Sequence, residues 1–284
     1  MTPEQAREYT WLVIETQKVS VIQGLAGALR TIPATHPAYN DILDEIGNWT
    51  KLLRDQREAW WGPRNRIDLS ATPAEKVEQL WKIICRVVEG LENSDPRDVR
   101  KKKVFMLRIA WFESCLDDRI ERTNTGLGPA RGLFQEQKNN AIDALRYITR
   151  SPHVCLELLK ICPCMTEGFR DRRPNESDED YAKAVVEYQI SILENYTQPD
   201  PVYGEDAHFP PDNCIKKCLE ENDYFATILA RYYFKRDPEP LPEPDEVDKA
   251  FEFWDRLWYR SGADNEDKTR WDNKMEVLSG LLPE

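Results

Sequence analysis

The chain has 284 residues, of which 40% are hydrophobic and 32% are charged, and its net charge is −12. This length suffices for one large domain or two small ones. The pI near 5.0 and the lack of a basic stripe with interleaved aromatic residues argue against nucleic acid as a partner. No apolar run in the sequence reaches membrane-spanning length, so no membrane partner is expected.

Helical patterns recur along the chain and alternating strand patterns are scarce, so we expect an all-α fold. Three helices are predicted to begin at the capping residues Thr2, Thr72 and Ser177, each followed by proline or acidic residues. The predicted helices span residues 4–30, 37–60, 73–92, 98–118, 136–149, 151–161, 177–196, 212–235 and 245–260.

The first residues lack the features of an export signal. Glu4 and Glu8 stand where a cationic start belongs, and Glu15 and Lys18 interrupt the apolar stretch that follows. We therefore expect synthesis in the cytoplasm without a cleaved leader.

The helix predicted at 98–118 carries a dense apolar run that ends in Glu113-Ser114. Burial of Glu113 against Trp111 or Phe112 would raise its pKa, which suits a general acid near neutral pH. The alternative interpretation is a glutamate at a helix end that points to water.

A glycine-rich segment follows and closes on Gly132-Leu133-Phe134-Gln135. Gly126, Gly128 and Gly132 permit positive φ and let the backbone approach a ligand closely, while Pro129 stiffens the segment. Gln135 offers hydrogen-bond donors and an acceptor. The alternative is an ordinary glycine turn before a helix.

The seven cysteines are an odd number, and with no export signal they are expected to be reduced. Cys162-Pro163-Cys164 and the pair Cys214 and Cys218, with His153 and His208 nearby, could bind zinc. Neither spacing is that of a zinc knuckle, so we expect buried free thiols, with no metal and no cofactor.

A late aromatic segment at 224–242 contains Ala230-Arg231-Tyr232-Tyr233 and ends in Pro-Glu-Pro-Leu-Pro. Adjacent residues point to different faces of a helix, so only one of Tyr232 and Tyr233 can face a cleft. The alternative is that both are packed in the core.

Taken in order, Glu113-Ser114, the Gly132–Gln135 turn and the late aromatic segment resemble the lysozyme-like lytic transglycosylases of the soluble-lytic-transglycosylase type. The similarity covers residues from about 100 to 262 and points to a phage- or prophage-associated subgroup. It implies a lysozyme-like helical core that cuts the linkage between N-acetylmuramic acid and N-acetylglucosamine in peptidoglycan, with Glu113 as the catalytic general acid and base. In that family a glycine usually follows Glu-Ser, where this chain has Cys115.

The resemblance also implies which side chains meet the substrate. The family's spacing from Ala230-Arg231 favours Tyr232 over Tyr233 as the residue in the cleft, with Leu133 and Phe134 as supports for Gln135. The implied substrate-binding residues are Ser114, Gly132, Leu133, Phe134, Gln135, Tyr232 and Tyr233.

Residues 96–284 are then expected to form the glycan-cleaving domain, with an insertion around 150–213, after a helical region of unknown role at 1–95. The expected partners are peptidoglycan glycan strands and proteins of a phage particle, reached in a virion or on lysis. Two alternatives stay open: a lysozyme-type hydrolase with a second carboxylate, and a non-catalytic structural protein of the virion. Asp117 and Asp118 would continue the Glu113 helix and are expected to be solvated.

Overall fold

The computed structural model describes residues 20–31, 33, 35–36, 38–61, 65–92, 96–118, 120–123, 126–197, 208–259 and 264–283. The described residues are mostly helical, as the sequence predicts. The chain divides into two compact units, Met1–Arg64 and Asn65–Glu284. No helix within the described ranges is long and apolar enough to cross a membrane. The predicted cap at Thr2 lies outside these ranges.

The first unit contains a helix at residues 20–29, α1, and a second helix at Ala38–Trp61, α2. The backbone N–H of Ala38 donates to Nδ1 of His36 at 3.1 Å, which satisfies one of the unpaired amides at the start of α2. Further along α2, the indole N–H of Trp49 donates to the carboxylate of Glu45, one turn earlier, at 2.8 Å.

The second unit is built from helices whose starts follow local capping rules. Thr72 accepts the backbone N–H of Glu75 at the start of α3, and Ser177 accepts that of Asp180 at the start of α7, so both predicted caps are confirmed. The helices described here are α3 (Pro73–Gly90), α4 (Pro96–Ser114), α5 (Lys138–Ile148), α6 (Pro152–Ile161), α7 (Asp178–Glu194), α8 (Cys214–Glu221), α9 (Asp223–Lys235), α10 (Val247–Trp254) and α11 (Asn265–Ser279), with a 3-10 turn at Pro163–Thr166 and a π-helical turn at Asp255–Tyr259.

The helix α9 is the centre of this unit. Its residues 223–234 are all buried, so the helix has no solvent-facing side over this length. It packs against α3, α4, α5 and α8. Two of its polar side chains have partners within the core: Asp223 accepts the backbone N–H of Ile67 at 2.7 Å, and Arg231 pairs with Glu92.

A short antiparallel hairpin follows α4. Its strands are β1 (Ile120–Thr123) and β2 (Gly126–Arg131), and Ile120 stands opposite Arg131. The glycines of β2 were expected in a turn. They form a strand because β1 supplies backbone partners, and the turn begins only at Gly132.

The expected boundary after residue 95 differs from the observed division after Arg64. The helix α3 belongs to the second unit, where it packs against α4 and α9. The reason is its apolar face, since Val77, Leu80, Ile84 and Val87 are completely buried. The segment expected as an insertion at 150–213 contains α6 and α7, which pack on each other, and α7 also packs on α5.

Candidate active site

Glu113 lies in the last turn of α4 and is half-buried. Its Oε1 accepts the indole N–H of Trp254 at 2.6 Å. Because an indole nitrogen can only donate, this bond favours one orientation of the carboxylate. Trp254 stands at the end of α10, 141 residues later in the chain, so folding creates the contact.

Buried aromatic rings fix the position of Trp254. Its ring lies 4.7 Å from that of Phe112 and 6.0 Å from that of Trp271, and Phe112 lies 5.0 Å from Trp271. All three side chains are at most 2% exposed. The partner of Glu113 is therefore held by packing as well as by its hydrogen bond.

The helix α4 ends at Ser114 and not at the predicted residue 118. The Ser114 hydroxyl donates to the carbonyl of Ala110 at 2.9 Å and accepts the backbone N–H of Leu116 at 3.2 Å. Cys115 and Leu116 have φ angles of 50° and 57°, and this left-handed backbone turns the chain out of the helix. In this structure Ser114 thus serves to terminate α4.

Asp117 was expected one helical turn beyond Glu113 on the same helix, which is wrong because α4 has already ended. Asp117 is exposed, as expected, and its carboxylate pairs with Lys76 of α3 at 2.5 Å. This carboxylate is therefore held towards α3.

The turn that begins at Gly132 is closely packed against α8 and α9. Gly132 has a φ of 74°, and a Cβ there would stand 3.1 Å from the carbonyl oxygen of Leu219 and 3.3 Å from Cβ of Ala226. Both the backbone angle and the space require glycine. Leu133 and Phe134 are 0% exposed, so they support the turn from within the core.

Gln135 reaches the loop that follows Glu113. Its Nε2 donates to the carbonyl of Gly132 at 2.9 Å and lies 3.5 Å from the carbonyl oxygen of Asp118. Its φ of 51° is left-handed, and its Oε1 has no hydrogen-bond partner among the described residues. The predicted site residue Gln135 and the end of α4 are thus close in space.

The two tyrosines differ in what they contact. The Tyr233 hydroxyl donates to the carbonyl of Leu257 at 2.6 Å, in the turn that follows Trp254. Tyr232 points to another face of α9, with its ring 6.4 Å from that of Tyr147, and burial raises its pKa. Tyr233, and not the favoured Tyr232, therefore contacts the segment that carries Trp254. Both are at most 1% exposed and act as supports.

Glu136 is a buried acid that the sequence analysis did not single out. It is 1% exposed, and neither carboxylate oxygen has a hydrogen-bond partner among the described residues. Burial raises its pKa well above the ordinary range, an effect that the nearby backbone of Ala230 only partly offsets. The burial comes from tertiary packing, which no local sequence pattern reveals.

A groove of about 520 Å³ lies along the first turns of α11. The Arg270 side chain lies 4.7 Å from the ring centre of Phe112, and Lys274 Nζ donates to the Phe112 carbonyl at 2.5 Å. The groove therefore lies along α11, and two of its side chains contact Phe112, the residue before Glu113. The groove is lined by Asp264, Glu266, Asp267, Thr269, Arg270, Asn273 and Lys274.

The structure also gathers cysteines that the sequence analysis expected as free buried thiols. The Sγ atoms of Cys162, Cys164, Cys214 and Cys218 all lie within 4.8 Å of one another. Zinc-knuckle spacing did not predict this cluster, because the two pairs come from the ends of separate helices that meet through the 3-10 turn. Among the residues that the structure describes, these four cysteines form a group that could hold a metal ion.

Two distant segments therefore approach the end of α4, and a third contacts one of them. Trp254 contacts Glu113 directly, Gln135 approaches the loop at Asp118, and Tyr233 bonds to the turn after Trp254. No protein family, curated protein or solved structure matches this chain. The available sequence signal for Trp254 was its place in the helix predicted at 245–260.

Proposed function

We propose that this chain is a peptidoglycan-cleaving lytic transglycosylase with Glu113 as its general acid and base. The observation that carries the proposal is the half-buried Glu113 carboxylate at the end of α4, oriented by the indole N–H of Trp254. A general acid must be held within hydrogen-bond reach of the group that it protonates. The rigid aromatic packing behind Trp254 supplies that fixed position.

In the proposed reaction Glu113 protonates the glycosidic oxygen between N-acetylmuramic acid and N-acetylglucosamine. The resulting carboxylate then takes the proton of the muramoyl 6-hydroxyl, whose oxygen attacks the anomeric carbon and forms an anhydro sugar. Glu113 is protonated again at the end, and no water is consumed. The ion pair of Asp117 with Lys76 supports a mechanism with one carboxylate, because it holds the neighbouring acid towards α3.

The groove beside Phe112 is the proposed place of the glycan strand. Asn273, Thr269, Arg270 and Lys274 offer hydrogen-bond donors, and the acidic side chains offer acceptors. Sugar hydroxyl and N-acetyl groups need both kinds of partner.

A second candidate is a non-catalytic structural protein of a phage particle. In such a protein the bond between Trp254 and Glu113 would have a structural role only, because it stabilises the packing of α10 on α4 without any chemistry.

Digestion of purified peptidoglycan, followed by mass spectrometry of the products, tests the proposal. The wild-type protein should release anhydro-muropeptides. Glu113→Gln should reduce the rate by roughly 10²- to 10⁴-fold, because the amide keeps an oxygen for the Trp254 N–H but has no proton to donate. Asp117→Asn is the matched control, since it also converts an acid to its amide near the end of α4, and it should retain activity.

The outcomes separate the candidates. Fully hydrated reducing ends, together with a loss of activity in Asp117→Asn, would replace the transglycosylase with a two-carboxylate hydrolase. A folded wild-type protein that leaves peptidoglycan intact would favour the structural protein. Full activity in Glu113→Gln would assign the acid to another residue.

A further inference from the structure

The four clustered cysteines come from two helix ends about fifty residues apart in the chain. Cys162 directly follows α6, and Cys164 lies in the 3-10 turn that comes next. Cys214 is the first residue of α8, and Cys218 follows one turn later on the same helix. The cluster therefore connects the end of α6 to the start of α8.

Four of the six distances between the sulfurs are close to those of a tetrahedral thiolate site. The Sγ atom of Cys162 lies 3.6 Å from that of Cys164 and 3.7 Å from that of Cys214. Cys218 Sγ lies 3.6 Å from Cys164 Sγ and 3.9 Å from Cys214 Sγ. Four sulfurs at about 2.3 Å from a central zinc ion stand about 3.8 Å apart, which agrees with all four of these distances. The two remaining pairs, Cys162–Cys218 and Cys164–Cys214, are in disulfide contact.

Two separate disulfides are the competing arrangement. Each disulfide requires only its own two sulfurs to meet, and nothing in its bonding draws the other bridge within 4 Å. A shared ion requires all four sulfurs to lie close together, and all four lie within 4.8 Å of one another. Cys85, Cys115 and Cys155 are not paired in disulfides, whereas the four clustered cysteines, expected to be free thiols, are in disulfide contact.

We propose that Cys162, Cys164, Cys214 and Cys218 bind one Zn²⁺ as a closed structural site. Binding converts four thiols to thiolates and releases four protons to the solvent, so the filled centre carries a charge of −2. The start of α8 favours negative charge at Cys214, because the helix dipole is positive there. With four protein ligands the ion has no open position, so it stabilises the fold and takes no part in a reaction.

The site would fix α8 in place, and α8 in turn supports the turn that carries Gln135. The backbone of Leu219 in α8 lies against Gly132, and Glu220 pairs with Arg131 at 2.8 Å. The zinc site is independent of the proposed activity, because its ligands are separate from Glu113 and its partners.

Metal analysis and thiol counting test the proposal on the full chain. Protein purified without added metal or chelator should contain about one zinc ion per chain, as measured by elemental mass spectrometry. In denaturant with a chelator and no reductant, all seven cysteines should react with a thiol reagent. Two disulfides would leave only Cys85, Cys115 and Cys155 reactive. Three reactive thiols in protein without metal would overturn the proposal, and so would iron in place of zinc.

Variants locate the ion. Cys164→Ser and Cys218→Ser should each lose most of the bound zinc, whereas Cys85→Ser, outside the cluster, should keep it. If the cluster variants fail to fold, cobalt exchanged into the wild-type protein gives a second measurement. Thiolate-to-cobalt charge transfer and the visible bands of a tetrahedral cobalt ion are expected. An octahedral cobalt spectrum, or full zinc content in folded Cys218→Ser, would contradict the assignment.

Discussion

The backbone of Cys115 is left-handed directly after the proposed acid Glu113. A residue with a Cβ costs roughly 1–2 kcal/mol in this conformation, whereas glycine adopts it freely. Cys115 is half-exposed, so its side chain makes few buried contacts that a substitution would remove. Glycine at this position would adopt the same backbone conformation without that cost.

Cys115→Gly should therefore increase the free energy of unfolding by up to about 1 kcal/mol, because the relief of strain exceeds the entropy that glycine adds to the unfolded chain. Urea unfolding of the reduced protein measures the effect as a higher midpoint at an unchanged slope.

Cys85→Gly is the matched control, because Cys85 is a half-exposed cysteine in the interior of α3. There the same substitution should lower stability by about 1 kcal/mol. Equal losses in the two variants would show that the backbone at Cys115 stores no strain.

At the scale of helices, a buried charge cluster joins α3, α4 and α9. Glu92, which follows α3, lies 2.9 Å from Arg231 Nε and accepts a hydrogen bond from Arg231 Nη2 at 3.0 Å. Lys102 of α4 and Lys235 of α9 complete the cluster at 3.2 and 3.9 Å. The side chains of Glu92 and Arg231 are only 2% and 4% exposed, so each charge depends on the other.

This cluster makes stability depend on pH. Burial raises the pKa of Glu92, but the positive charges of Arg231, Lys235 and Lys102 outweigh it, and the pKa lies below its ordinary value of 4.5. The folded chain therefore binds this proton less tightly than the unfolded chain. The stabilisation is complete above the unfolded pKa and is lost as pH falls through the lowered folded value.

Glu92→Gln should destabilise the protein by about 3–5 kcal/mol at neutral pH, because Arg231 would be left buried without a counter-charge. The difference from wild type should shrink as pH falls below 4.5, where the wild-type carboxyl also becomes neutral. Urea unfolding at a series of pH values measures both effects.

Glu89→Gln is the control on the same pair of helices. Glu89 also pairs α3 with a lysine of α4, Lys103, but its side chain is 55% exposed. Removing its charge should change stability by less than about 1 kcal/mol. A similar loss in both variants would mean that burial does not set the strength of these pairs.

The elements that sequence predicted well are those whose signals are local. Thr72 and Ser177 mark the starts of α3 and α7 because a cap needs only the next three residues. The end of α4 was misplaced, because left-handed residues without glycine give no sequence signal. The hairpin of β1 and β2 was not predicted, because it depends on backbone pairing between two strands and not on a local sequence pattern.

The candidate site was predictable only in part, for the same reason. Glu113 and Gln135 stand out in the sequence, and the structure brings their segments together. Trp254 as the partner of Glu113, and the convergence of Cys162 with Cys218, depend on the packing of distant helices. Helical patterns do not contain that information.

At the scale of the whole molecule, the principal hydrophobic core lies within the unit that begins at Asn65. Its buried residues run from Ile67 to Leu278. The helix α3 contributes side chains that are 0% exposed, and each contributes about 1.5–3 kcal/mol through burial. Together they equal a large share of the roughly 5–15 kcal/mol that stabilises a typical domain.

Residues 65–284 should therefore fold alone with a cooperative thermal transition, whereas residues 96–284 should not, because the second fragment lacks α3 and exposes the faces of α4 and α9 that it covers. Circular dichroism melting of the two fragments compares them directly. Cooperative melting of residues 96–284 would support the domain boundary after residue 95 that the sequence predicts.

The late position of α9 in the chain has a consequence for synthesis on the ribosome. Chains emerge from the amino terminus, so α3, α4, α5 and α8 leave the ribosome before the helix that they all contact. Until Lys235 has been translated, their apolar faces lack the partner that covers them in the native state. Nascent chains that stop short of α9 should consequently be the ones that chaperones hold and proteases cut, and protection should begin only once that helix is free to dock.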